Sequence, residues 1–425
     1  MNAPKSLHLH GAGHVLLGGA RDRGPVRHWA DLDLRRATDL VIHRQADGGW
    51  TVAWVGAAAA PDRPAADASV DLGGSLLLPG LVDAHTHAVF AGDRSAEFTR
   101  RMAGSTYVEI AAEGGGIINT MRHTRAATAE QLADAATSRL VEMRAWGVRV
   151  VEIKTGYGLD EGGEVRMLRA IGLLQRRFSG RLQIVATAMP AHAVPPEFRG
   201  DTDGYVRAVR EQILPALAAE ATACPFVDIF IEKGYFDVAQ AAAVWQTARQ
   251  HGFRLKAHVD EFADIGGIHW AIVAGAISVE HLLTASTESI RHLAICDTVA
   301  VCLPATSLYL RAPYAPMRAL VDAGALVAVA TDCNPGSAMT TNLPLAMQLA
   351  VLGGKLTAQE SLRAVTRGGA LALDCPGGYG GRLQISEPFV ATLLDVDHPD
   401  ALFYELGAPP RANFAIDKAC LGQRP

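Results

Sequence analysis

Between Leu76 and residue 372, short apolar runs alternate with longer amphipathic stretches, and this rhythm limits the folds open to the chain. Apolar runs begin near Leu76, Val148, Leu182, Phe226, Arg254, Ala276, Thr298 and Leu326. Stretches of helical period lie at 129–146, 161–177, 203–220, 237–251, 264–274, 286–294, 313–323 and 341–352, with another near 357–373. A continuous apolar strand is buried on both faces, as in a parallel sheet covered by helices. Eight such alternations predict an α/β fold, a (β/α)8 TIM barrel rather than an open doubly wound sheet.

The flanks have a different texture. Leu7-His8-Leu9-His10 alternates, Leu40-Val41-Ile42-His43 is apolar, and Gly48-Gly49 separates it from Trp50-Thr51-Val52-Ala53-Trp54-Val55. These are hairpin signals. The tail returns to β texture at Phe389–Val396. We therefore expect residues 1–75 and 377–425 to form one small β-sandwich-like domain, with the barrel at 76–376. The chain length of 425 residues suits a barrel of roughly 250 residues plus a smaller domain.

Composition excludes several classes. A net charge of −5 with scattered arginines leaves no footprint for nucleic acid. No apolar run reaches membrane-spanning length, and the N-terminus shows no charged segment leading into an apolar one. The six cysteines form no CxxC pair and read as small apolar residues of a reducing compartment. The expected setting is the cytoplasm, without membrane or nucleic-acid partners.

Polar residues punctuate the strand ends. Pro79-Gly80-Leu81-Val82-Asp83-Ala84-His85-Thr86-His87 ends an apolar run in two histidines one residue apart, so both imidazoles point the same way. His258, His281 and Asp332 likewise end apolar runs. In a barrel, chemistry sits at these C-terminal strand ends. His85, His87, His258 and Asp332 make a plausible set of metal ligands with a position left for water. A metal lowers the pKa of its water from 15.7 toward roughly 7. A lone buried histidine is usually a satisfied core residue, and His8-Leu9-His10 is read that way. Asp332 also suits a helix N-cap.

Other residues gain weight from the same face. Glu261 stands three residues after His258, as a proton donor to a leaving nitrogen or as a surface carboxylate opening a helix. His281 is either a metal ligand or a donor to a developing oxyanion. Tyr157 lies between glycines, His192 lies in Pro190-Ala191-His192, and Asn334-Pro335-Gly336-Ser337 follows Asp332. Arg94, just after the first strand, offers a fork for a carboxylate or a surface ion pair.

These residues resemble the amidohydrolase superfamily and, within it, the imidazolonepropionase family. The matching pieces are Pro79–His87 with Val89, Phe90 and Arg94; Gly104–Tyr107; Gly114–Ile117; Glu152–Leu159; Ala191–Glu197; and Val227–Phe230. Lys256–Glu261, Glu280–Leu283 and Ala330–Ser337 complete them. The H-x-H motif alone specifies the superfamily, whereas the segments around Tyr157, His192 and Asn334 are specific to the family. Met189-Pro190, Val259, Cys333 and Pro304-Ala305 depart from its usual residues, which bears on fine substrate preference.

The resemblance implies one zinc or iron ion on His85, His87, His258 and Asp332. It implies substrate contacts from Arg94, Tyr107, Tyr157, His192, Glu261, His281, Asn334, Gly336 and Ser337. It also implies a homodimer acting on a small molecule. The implied reaction is hydrolysis of the cyclic amide of 4-imidazolone-5-propanoate to N-formimidoyl-L-glutamate. In it Glu261, His281 and Asp332 are catalytic, with proton work shared between Asp332 and Glu261. Two alternatives stand beside it: another amidohydrolase, such as a heterocycle deaminase, and a non-catalytic metal- or ligand-binding barrel.

Overall fold

Pro79 and Gly80 cut the first apolar run in two. Leu76–Pro79 pairs antiparallel with Ala391–Leu394 in a small sheet, and Gly80 N donates to Val390 O at 2.9 Å. Leu81–Asp83 then starts the barrel. Proline carries no N–H, so one ladder cannot run through this point, and the chain changes sheets there. The sequence reading placed the first barrel strand at Leu76; the run from Leu76 serves both domains. The structure, a computed structural model, describes residues 4–105, 109, 115–408 and 410–421.

The barrel strands are β1 (Leu81–Asp83), β2 (Val148–Lys154), β3 (Gln183–Ala191), β4 (Phe226–Ile231), β5 (Arg254–Val259), β6 (Ser278–His281), β7 (Val299–Cys302) and β8 (Val327–Val329). They follow one another in sequence order across one parallel sheet. The two edge strands meet just beyond their ends. Asp332 N donates to His85 O and His87 N to Cys333 O, both at 3.0 Å. The buried Asp83 carboxylate accepts from Thr331 N at 3.0 Å and Thr331 Oγ1 at 2.7 Å.

Helices cover the outside, with starts set by side-chain caps. Thr128, Asp160, Asp237, Ser286 and Thr357 each accept a hydrogen bond from the backbone N–H three residues on. The stretch predicted as one helix at 203–220 is Thr202–Ala208, a π turn at Val209–Ile213, and Leu214–Ala218. Pro215 cannot donate to an intrahelical carbonyl, which accounts for the widened turn before it. Among the described residues, five α-helices escaped the sequence reading: Ser95–Met102, Ile117–Ala126, Pro304–Leu310, Ala401–Tyr404 and Ala415–Leu421.

Both termini build the small β-domain. One sheet orders Trp50–Ala57, Thr38–Arg44, Ser6–His10 and Ala68–Asp71. The other orders Ala412–Asn413, Ala391–Leu394, Leu76–Pro79, His14–Leu16 and Leu34–Arg35. Leu7, Leu9, Leu40, Ile42 and Val52 of the first share a core with Val15, Leu77 and Leu393 of the second.

Candidate active site

The closure of the barrel sets the site. Because Asp332 N bonds to His85 O, the ends of β1 and β8 lie side by side. His85 Nε2 is 3.4 Å from Asp332 Oδ1, and Thr306 Oγ1 donates to Asp332 Oδ2 at 2.6 Å. Across the mouth, His87 Nε2 lies 3.4 Å from His258 Nε2. His281 Nε2 is 3.8 Å from Glu261 Oε2. Donor atoms of His85, His87 and Asp332 lie within 4.8 Å of one another, as do those of His85, His258 and His281. All seven side chains are buried. Asp332 and His281 hold φ values of 53° and 78°. Such backbone is strained for a side-chain-bearing residue and aims these groups where a regular strand would not.

This cluster has the character of a metal centre. Two neutral imidazoles do not pack nitrogen to nitrogen without a proton or a cation between them. His85 Nε2 and His87 Nδ1 are buried without a hydrogen-bond partner, a costly arrangement that a bound cation relieves for the nitrogens facing it. Burial and the nearby His192 hold His87 well below its usual range, so its imidazole is neutral and able to ligate a metal. Burial opposes charge on His85, but the Glu280 carboxylate outweighs it and lifts the imidazole to about 9. Burial likewise opposes charge on Asp332, yet contact with His85 holds it down to about 2.

Beneath the histidines the barrel interior is charged. Glu280 contacts His85 Nδ1, and Asp228 Oδ1 accepts from His258 Nδ1 at 3.0 Å. Lys154 Nζ touches Asp228, Glu152 and Glu280 at 2.7, 2.9 and 2.9 Å. Lys256 Nζ touches Glu152 and Glu280 at 2.8 and 3.2 Å. All five charged residues are fully buried. Register explains the grouping: Asp228 pairs with Lys256, and His258 with Glu280, on neighbouring strands. The sequence reading gave these five no role. Their signal was a charged residue inside each apolar strand.

Two loops wall the mouth. Gly156, at φ 107°, lets His192 approach; a Cβ there would sit 2.9 Å from His192 Nδ1. His192 Nδ1 faces Gly156 O at 3.0 Å, and its ring stacks on His87 at 4.8 Å. Tyr157 is buried beside both, with ring centroids 5.7 Å from His87 and 5.5 Å from His192. Burial and the Asp332 charge raise its hydroxyl pKa, keeping it a donor. Glu164 holds this loop from below, accepting from the backbone N–H of Gly156, Gly158 and Leu159 at 3.2, 2.8 and 2.9 Å. Sequence reasoning missed Glu164, which reads as one more charged residue of an amphipathic helix.

On the opposite wall, Asn334 Oδ1 accepts from Gly336 N and Ser337 N, both at 2.8 Å, and its Nδ2 donates to Asp332 O at 2.7 Å. A Cβ at Gly336 would lie 2.3 Å from Arg94 Nη1. Glycine therefore lets the guanidinium reach the loop. Arg94 also donates to Glu97 at 2.9 Å. Glu261 is lifted to about 8, chiefly by burial and then by the Asp332 charge. The structure thus brings together every residue singled out as a site candidate except Tyr107, which lies outside the described residues. His8 sits far from this constellation in the chain's small domain, its Nε2 2.8 Å from Asp39.

Comparison with known proteins agrees with this geometry. The Amidohydrolase family matches residues 76–406. An imidazolonepropionase of Chloroflexus aggregans is 46% identical over 353 residues, 81% of this chain and 82% of that protein. One of Deinococcus deserti is 43% identical over 389 residues, 91% of this chain and 93% of that protein. The chain belongs to the amidohydrolase family, among the imidazolonepropionases. It is thus a hydrolase acting on carbon–nitrogen bonds. Among solved structures, a mutant atrazine chlorohydrolase of Arthrobacter aurescens, complexed with zinc and atraton, superposes with a TM-score of 0.66. It is 18% identical, over 96% of this chain and 93% of that one. An adenosine deaminase of Xanthomonas campestris with bound zinc gives a TM-score of 0.64 at 18% identity, over 94% and 89%. These two share the fold. No helix among the described residues is long and apolar enough to cross a membrane.

Proposed function

We propose that this chain hydrolyses the ring amide of 4-imidazolone-5-propanoate to N-formimidoyl-L-glutamate. The observation that carries the reading is the meeting of Arg94 with the Asn334–Ser337 loop a few residues from Asp332. A carboxylate binder thus stands beside a metal-type cluster in a chain whose relatives are imidazolonepropionases. A neutral heterocycle would leave Arg94 paired with Glu97 alone.

His85, His87, His258 and Asp332 are the residues that would hold one ion, zinc or iron, since imidazole and carboxylate suit both. When bound, the ion supplies Lewis acidity to the ring carbonyl and acidifies a water. The protein's own groups do the rest. Arg94 and the Asn334, Gly336 and Ser337 loop hold the propanoate, with Tyr107 as a further contact. Tyr157 and His192 hold the ring. Asp332, ionised at neutral pH, takes a proton from the attacking water. His281, kept neutral chiefly by burial, donates to the oxyanion. Glu261, protonated below about 8, gives its proton to the leaving ring nitrogen. One carbon–oxygen bond forms, one ring carbon–nitrogen bond breaks, and the opened nitrogen leaves protonated.

We further place the protein in the cytoplasm, where six free thiols stay reduced, with no nucleic-acid partner. The homodimer completes the reading, together with domain limits at 1–75, 76–376 and 377–425 in which Leu76–Pro79, at the head of the barrel segment, pairs into the small sheet. The test is turnover of freshly generated imidazolone propanoate by the purified, metal-loaded chain, followed by loss of the substrate's absorbance and appearance of formimidoylglutamate. Release of ammonia from aminated heterocycles, with the imidazolone left intact, would refute it.

A further inference from the structure

TIM-barrel interiors are usually filled by branched apolar side chains. Here two lysines and three carboxylates fill the layer directly under the histidines. Lys154 Nζ donates to Asp228 Oδ2 at 2.7 Å and forms ion pairs with Glu152 Oε2 and Glu280 Oε2, both at 2.9 Å. Two of those carboxylates each hold an imidazole. Asp228 Oδ1 accepts from His258 Nδ1 at 3.0 Å and from His258 N at 3.1 Å, while Glu280 Oε2 faces His85 Nδ1. Lys256 braces Glu152 and Glu280 from the other side but pairs with no oxygen of Asp228 among the described residues.

We propose that Lys154 is a positioning residue for the metal centre, tying Asp228 and Glu280 into one rigid frame that makes His258 and His85 present Nε2 to the ion. The inference rests on the ligand assignment above. Its physical basis is the tautomer: an imidazole whose Nδ1–H is held by a carboxylate has Nε2 free to ligate. Asp228 and Glu280 stand on β4 and β6, with β5 and its His258 between them. Without a shared cation, two buried like charges flanking one strand repel, and each loses the position that orients its ring. The ammonium meets both carboxylates at one point, which a net charge elsewhere in the barrel cannot do.

The test measures Zn2+ affinity of the purified chain by competition with a chelator, alongside unfolding of the metal-free protein. Lys154→Met is expected to weaken Zn2+ binding by roughly 10- to 100-fold, the range for losing a group that orients a metal ligand. The double variant Lys154→Met/Glu152→Gln restores the charge count without the bridge, and its Zn2+ affinity is expected to stay low. Recovery to within threefold of wild type would show that only net charge matters and would overturn the proposal. So would lowered stability of Lys154→Met with unchanged Zn2+ affinity, since a merely structural lysine behaves that way. If Lys154→Met does not fold, the isosteric Asp228→Asn cuts the same frame at its His258 end. It is expected to lose Zn2+ affinity to a similar extent, and full affinity would overturn the proposal. His258→Ala keeps the two readings apart: unchanged affinity there refutes the ligand assignment itself, whatever Lys154 does.

Discussion

His87 Nε2 and His258 Nε2 face each other at 3.4 Å across the barrel mouth, although 171 residues separate them in the chain. One sits beyond β1 and the other in β5, on opposite sides of an eight-stranded ring. Neither ring gains from this approach unless a proton or a cation lies between them.

Removing either imidazole should therefore remove metal and turnover together. His87→Ala and His258→Ala are expected to bind less than a tenth of the wild-type metal after dialysis, with activity lost in proportion. Elemental analysis beside the turnover assay checks this. Metal retained in full with activity lost would place these histidines on the substrate instead.

Arg94 should separate binding from metal. Charge-assisted hydrogen bonds contribute roughly 1.5–3 kcal/mol each, so Arg94→Ala is expected to lower kcat/KM by about 10- to 100-fold with metal content unchanged. Arg94→Lys keeps the charge but not the planar fork and should recover only part of the loss. Gly336→Ala attacks the same contact from the loop, because its Cβ would lie 2.3 Å from Arg94 Nη1. It should raise KM as Arg94→Ala does. Normal kinetics in both variants would detach the carboxylate from this corner.

Glu261 should set the basic side of the pH profile. Its carboxyl is raised to about 8, so the proton-donating form prevails below that pH and is lost as pH rises through it. Turnover is expected to fall above about 8. Positioned acid catalysis contributes typically ~10²–10⁴-fold, so Glu261→Gln should lower kcat by about that factor and flatten this limb. A limb that persists unchanged in Glu261→Gln belongs to another group.

Glu164 should matter for stability and for substrate affinity at once. Glu164→Ala leaves three buried N–H groups, those of Gly156, Gly158 and Leu159, without their acceptor. An unsatisfied buried donor costs about 1–3 kcal/mol, so chemical denaturation should show a loss of at least about 3 kcal/mol. The loop that carries Tyr157 and faces His192 should loosen and KM rise, while metal content holds.

The strand ends were legible because each broke an apolar run in a group that chemistry needs. His85, His87, His258, His281 and Asp332 could be named from that pattern, and the barrel itself from the alternation of runs. The helix limits followed from periodicity, as at Glu161–Arg177 and Ala129–Ala145. Leu76–Pro79 was misplaced because an apolar run carries no mark of which sheet it joins. Only its pairing with Ala391–Leu394, more than three hundred residues on, decides that.

The amino-acid sequence by itself determined the fold class, the face on which chemistry sits and the residue types gathered there. These depend on local period and on which positions are polar. The tertiary structure alone decided which groups meet. Lys154 reaches Asp228 and Glu280 only because β2, β4 and β6 point those side chains into one closed barrel. Arg94 reaches Gly336 only because the connections after β1 and β8 fold over the same rim. Such contacts carry no local periodicity, since they arise from the curvature that brings the last strand back beside the first.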